Sequence, residues 1–157
     1  MQSLEEELSK GRILLLDGAM GTMIQTYHLQ ESDYRGALYS SYSGQMKGNN
    51  DLLCLTKPEV IADIHRQYLA AGADIITCNT FNSQRVSLSD YGCQNLVPEI
   101  NRAAVRIARE CAQEFSTEEK PRFVIATVGP TNKSLSIAPD VENTAYRSIT
   151  FDDLCDA

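Results

Sequence analysis

The sequence predicts an α/β fold of parallel βαβ units. Three short apolar runs bounded by turn residues, at 12–17, 74–79 and 122–128, have the length and composition of buried strands. Two longer segments, at about 57–71 and 96–115, carry apolar residues at helical spacing. Strands that alternate with helices pair in parallel, because each crossover helix returns the chain to the same end of the sheet. An open doubly wound sheet and a (β/α)8 barrel share this order, and both gather their chemistry at the carboxyl ends of the strands.

The elements follow in order. Residues 1–7 are acidic and polar, without the positive region and apolar core of a secretory signal, which predicts a cytoplasmic location. A short helix precedes the first strand, 12–17, which leads into Asp17-Gly18-Ala19-Met20-Gly21-Thr22. A long loop follows; it holds His28, which has no metal-spaced partner, and Asn49-Asn50-Asp51, which reads as a turn. The first long helix places Val60, Ile61, Ile64, Tyr68 and Ala71 on one face. Thr56 and Glu59 have capping-box spacing, Pro58 falls in the first turn and Gly72 supplies the stop. His65 lies off that face and reads as solvated. The second strand, 74–79, leaves through Thr77-Cys78-Asn79-Thr80-Phe81-Asn82. Alternation along it puts Thr77, Asn79 and Phe81 on one face, with Cys78 and Thr80 on the other. The second helix buries Val97, Ile100, Ala104, Ile107, Cys111 and Phe115. The third strand, 122–128, turns at Gly129-Pro130 into Thr131-Asn132-Lys133, and Thr150 with Asp153 marks another helix start.

Composition narrows the function. The 157 residues show no repeat or Gly/Ser/Pro-rich linker, the pattern of one domain. Fourteen basic against twenty-one acidic residues give a net charge of −7, which argues against nucleic acid and anionic membranes as partners. The longest apolar stretch, 13–16, is far short of the ~18 residues a spanning helix needs. Five dispersed cysteines with no Cys-x-x-Cys pair argue against a disulfide framework or a local zinc knuckle.

The strand exits hold the candidate binding residues. Asp17 suits a cationic group such as an amine, and Gly18 and Gly21, in the motif that ends at Thr22, let backbone amides approach a ligand beside it. Neither a dinucleotide fingerprint nor a P-loop is present, so a nucleotide-binding open sheet ranks last. Asn79, Thr80, Thr131 and Asn132 offer neutral hydrogen-bonding groups at the other two exits. A tight structural turn is the competing reading at each. The residues alone support a ligand-binding α/β rim.

Taken together, Asp17-Gly18-Ala19-Met20-Gly21-Thr22, Lys47-Gly48-Asn49-Asn50-Asp51, Ala70-Ala71-Gly72-Ala73-Asp74-Ile75-Ile76, Asn79-Thr80-Phe81-Asn82 and Gly129-Pro130-Thr131-Asn132 resemble the N-terminal homocysteine-binding domain of cobalamin-dependent methionine synthases. Betaine-homocysteine methyltransferases and other homocysteine S-methyltransferases are similar more distantly. The resemblance runs in order from about Arg12 to Leu154. It implies a (β/α)8 barrel of the TIM type, and methyl transfer from methylcobalamin, replenished by methyltetrahydrofolate, to the sulfur of homocysteine. It also implies zinc, which would lower the pKa of the substrate thiol. By the same resemblance Asp17, Gly18, Gly21, Thr22, Asn79, Thr80, Thr131 and Asn132 are substrate-binding. One departure is Thr77-Cys78, where the family carries Glu-Thr, so that a rim carboxylate is missing.

None of the five cysteines matches the zinc-binding cysteines of the family, and Cys78 is read as no metal ligand. A complete barrel takes about 250 residues, so residues 1–157 are expected to be an N-terminal piece of one homocysteine-binding barrel domain, with three βα units of eight and no second domain. Alone, the piece is expected to be inactive and to bind neither zinc nor cobalamin tightly. Its expected partners are homocysteine, the rest of the barrel and cobalamin- and folate-handling modules. The competing class is a non-enzymatic module that binds a small amino acid.

Overall fold

In a computed structural model, residues 3–42 and 44–157 are described. Met1 and Gln2, which head the acidic N-terminal stretch, lie outside them. The first helix, α1 (Leu4–Ser9), is closed by Ser3: its hydroxyl accepts from the Glu6 amide at 3.1 Å, and the Glu6 carboxylate accepts from the Ser3 amide at 2.7 Å. Then come α2 (Met20–Thr26), α3 (Glu31–Arg35) and a 3-10 turn (Asn50–Leu52) that runs into α4 (Leu53–Thr56). The long helix α5 (Pro58–Ala70) leads to strand β1 (Ile75–Thr77), and α6 (Arg85–Leu88) to the long helix α7 (Val97–Phe115). Strand β2 (Phe123–Ile125) follows, and α8 (Phe151–Cys155) starts with the Thr150–Asp153 capping box read from the sequence.

The alternating α/β order and the parallel pairing hold. Ile75, Ile76 and Thr77 stand opposite Phe123, Val124 and Ile125. The first predicted strand contributes only one parallel bridge, Leu16 to Ile75, although Asp17 N–H donates to Ile75 O at 2.9 Å and Ile75 N–H to Leu15 O at 3.0 Å. This segment pairs along β1 alone. Ile13, Leu15 and Leu16 therefore stay more than half exposed, at 85%, 56% and 55%. The third predicted strand shortens to its middle residues, and Val128 is exposed.

The core forms where α5 and α7 pack together on the sheet. Ile61 and Ile64 from one helix meet a buried arc of Ile100, Ala104, Ile107, Ala108 and Cys111 on the other. Each fully buried Ile contributes about 1.5–3 kcal/mol. Two sequence expectations fail at α5. His65 is fully buried, because α2 and α4 as well as α7 pack on this helix and widen its buried arc beyond one stripe. Thr56 does not cap α5. It is the last residue of α4, already helical, with its hydroxyl 3.4 Å from Leu52 O, and Lys57 breaks the two helices at φ −142°, ψ 55°. Gly72 ends the segment at φ +112°, a conformation open to glycine.

The starts of the strands are tied by charge. Asp74, 3% exposed, accepts from Arg12 at 2.8 Å on Oδ1 and from the Leu15 amide at 3.0 Å on Oδ2. Its carbonyl accepts from Phe123 N–H at 2.9 Å, and Arg122 Nη1 lies 3.9 Å from Oδ1. Arg12 also holds the buried Glu7 at 2.7 Å, which joins α1 to the same cluster. Among the described residues no helix is long and apolar enough to cross a membrane.

Candidate functional site

Asp17 sits immediately after the Leu16 bridge, where the first extended segment leaves the sheet. Its carboxylate leans on the end of β1: Oδ2 accepts from Thr77 N–H at 2.9 Å, and the Thr77 hydroxyl lies 3.0 Å from Oδ1 and 3.2 Å from Oδ2. Burial raises the Asp17 pKa, and the Thr77 donors act against that rise. Among the described residues no Lys, Arg or His pairs with this carboxylate.

The next residue, Gly18, lies under a side chain that a larger residue there would have to displace. A Cβ on Gly18 would stand 2.9 Å from Tyr68 Oη and 3.0 Å from the ring, because Tyr68 of α5 lies across the loop and donates to Ala19 O at 3.3 Å. Gly21, expected in an open glycine loop, is instead in the first turn of α2, where amides have no intrahelical acceptor. Thr22 follows it there, exposed.

Asn79 leaves β1 buried. Its Nδ2 donates to Asn50 O at 2.8 Å and lies 3.6 Å from Cys54 Sγ. Asn50 in turn accepts from Tyr34 Oη at 3.0 Å, and its Nδ2 stands 3.8 Å from where a Cβ on Gly21 would be. Asn50 therefore bridges Tyr34 of α3 and the Asn79 exit, close to Gly21 of α2. Thr80 turns to the third strand, where its hydroxyl donates to Thr127 O at 2.8 Å. Next to it Gly129 N–H donates to Phe81 O at 3.0 Å, an approach so close that a Cβ on Gly129 would lie 2.5 Å from that oxygen. Thr131 and Asn132 stand apart from this arrangement. The Thr131 hydroxyl donates to Lys133 O at 2.8 Å, and the Asn132 amide bonds Asp90.

Sequence reasoning missed Thr77 as Asp17's partner, Asn50 as the bridge and Asp51 beneath it. Asp51 is 2% exposed, and burial pushes its pKa up to about 6. The Asn82 amide lies 3.4 Å from its Oδ1, and the buried Ser83 hydroxyl is near enough to ease the charge without hydrogen-bonding geometry. The available signal was three polar residues in a row before the apolar Leu52-Leu53-Cys54-Leu55. A groove of about 530 Å³ between α7 and β2, lined by Cys78, Val105, Arg109, Phe123 and Val124, holds none of the predicted residues.

The arrangement can hold a cation at Asp17 beside neutral amide and hydroxyl groups. It does not supply a nucleophile. Burial raises the thiol pKa of Cys78 and pushes that of Cys54 up to about 12, so both stay protonated at neutral pH.

The homocysteine S-methyltransferase family model matches residues 14–157. The chain belongs to the homocysteine S-methyltransferase family. Among solved structures, this homocysteine S-methyltransferase family member is similar to the oxidized form of the homocysteine methyltransferase MmuM from Escherichia coli. Identity is 24% over 81% of this chain, with a TM-score of 0.61. For the metallated form of MmuM the values are 21%, 78% and 0.58. At these identities the likeness shows the fold. The chain spans about 40% of the length of those proteins. Metal is a feature of that second structure. In this family member, among the described residues, no three His, Cys, Asp or Glu side chains converge as a metal ion requires, so these residues do not fit a zinc site.

Proposed function

We propose that the chain is the N-terminal part of a homocysteine-binding (β/α)8 barrel of the methionine synthase type, and that its strand exits hold the amino-acid end of homocysteine. One observation carries this reading: Asp17, in a chain of this family, presents a half-buried carboxylate with no cationic partner among the described residues at the end of the sheet. The α-ammonium of homocysteine supplies that cation. Asn50, Asn79 and the open amides of the first turn of α2 offer neutral partners to the rest of the amino-acid group. Thr131 and Asn132, which follow the third strand but bond Lys133 and Asp90 in this structure, would join this rim only by turning away from those partners.

In the whole enzyme, as the resemblance implies, cobalamin replenished by methyltetrahydrofolate would supply the methyl group for homocysteine, and zinc would activate the substrate sulfur. The described residues supply no ligand set for that zinc. The part assigned to this chain is to bind and orient the substrate in a cytoplasmic enzyme; the rest of the barrel and the cobalamin and folate modules are its partners.

Calorimetric titration of the 157-residue chain with homocysteine and with its desamino analogue tests the reading. Homocysteine should bind at least tenfold more tightly, and Asp17→Asn should abolish the difference, because an ammonium–carboxylate pair freed from water is worth more than 1.4 kcal/mol. Equal affinity for the two compounds in the unmodified chain would sink the proposal.

A further inference from the structure

Asp17 has an unusual set of neighbours for a carboxylate that must stay charged. It is half-buried, and among the described residues it has no Lys, Arg or His partner. The titratable groups that face it are Tyr68 from α5 and Cys78 from the exit of β1, and neither brings a positive charge. The hydrogen bonds to its oxygens come from one residue: the Thr77 amide reaches Oδ2, and the Thr77 hydroxyl spans both oxygens at 3.0 and 3.2 Å.

We infer that Thr77 is a positioning residue, which fixes the Asp17 carboxylate through its amide and hydroxyl so that it receives the ammonium of the ligand. The inference rests on the reading of Asp17 as the amino-group holder. The hydrogen bond from the Thr77 amide belongs to the backbone and survives substitution by any residue but proline. The hydroxyl bond does not, and it alone touches both oxygens, so it sets the carboxylate's rotation as well as its charge. Valine keeps the β-branched shape that suits a strand and removes only the donor; serine restores the donor.

The test is a pH titration by NMR of the Asp17 carboxyl carbon and the Thr77 amide proton, without ligand, in the unmodified chain and in Thr77→Val and Thr77→Ser. In the unmodified chain the Thr77 amide shift should follow the Asp17 carboxyl titration. Thr77→Val should move the Asp17 titration to higher pH by about one unit, as expected for one lost charge-assisted hydrogen bond, and Thr77→Ser should return it. Homocysteine affinity, measured across the same range, should lose its acidic limb at correspondingly higher pH in Thr77→Val. A Thr77 amide that ignores Asp17, or a Thr77→Val chain with unchanged Asp17 titration, overturns the inference; the first readout stands even if the valine chain does not fold. If the carboxyl titration shifts but homocysteine binds none of the three chains, the positioning role holds and the substrate reading fails.

Discussion

Replacing Asp51 by asparagine isolates the cost of burying a carboxylate under the rim. Asp51 is 2% exposed and its pKa is pushed up to about 6, against 3.8 for a solvated aspartate. Between these two values the folded chain binds more protons than the unfolded chain, so stability falls as pH rises from about 4 to about 6. Two pH units at about 1.4 kcal/mol each amount to about 3 kcal/mol. Asparagine keeps the shape and the acceptor that faces the Asn82 amide but carries no charge. At pH 7 Asp51→Asn should therefore gain about 1–3 kcal/mol, the lower figure applying if its new amide finds no partner. The assay is urea unfolding by circular dichroism at half-unit steps from pH 4 to pH 8. The difference between variant and parent should grow with pH up to about 6 and then level off. A difference that stays flat across this range, or that favours aspartate at pH 7, refutes the reasoning.

His65 should give the opposite slope. Burial lowers its pKa from 6.5 to about 4, so the unfolded chain takes up the extra proton and stability is lost as pH falls from about 6.5 through 4, by about 3 kcal/mol. In the parent this largely masks the Asp51 slope. His65→Leu should remove the acidic loss and, by deleting two buried ring nitrogens that have no hydrogen-bond partner among the described residues, add about 1–3 kcal/mol at pH 7 in the same assay; a lower stability there would contradict it. Asp74→Ala strips the buried anion from Arg12 and Arg122 and should cost about 3–5 kcal/mol. That corresponds to a thermal midpoint about 6–20 °C lower, and a fall under 2 °C would contradict it.

What the sequence reveals depends on how local the cause is. The helices α5 and α7 are legible because their apolar spacing is written within one element, and the parallel order follows from alternation. The length of a strand is not written that way. Leu14, Leu15 and Leu16 form an apolar run, yet their partner is β1, some 60 residues on, and nothing in the run says that it pairs on one side only. His65 was misread for a similar reason: a single stripe assumes one neighbour, and α5 has three helical neighbours.

The rim shows the same division. Asp17, Gly18 and Asn79 stand at strand exits, which a sequence pattern can find. Asn50 and Asp51 matter through partners 29 and 31 positions away, and a polar triplet in a loop looks identical whether it faces water or the interior. From the sequence Thr77 is a strand residue on the face of Asn79 and Phe81 and a departure from the family pattern, nothing more. Its value lies in two hydrogen bonds to a residue 60 positions earlier.

The charge cluster around Asp74 works like the spine of a book. It binds α1, the first extended segment, β1 and the start of β2 at one edge, while Asp17, Asn79 and Gly129 lie along the fore-edge, one short strand away. With each strand only about three residues long, roughly 10 Å separates the fastening from the chemistry. A change at Asp17, whose side-chain hydrogen bonds all lie at the open edge, leaves this fastening untouched, so the charge that meets a ligand can be altered without loosening the strand starts.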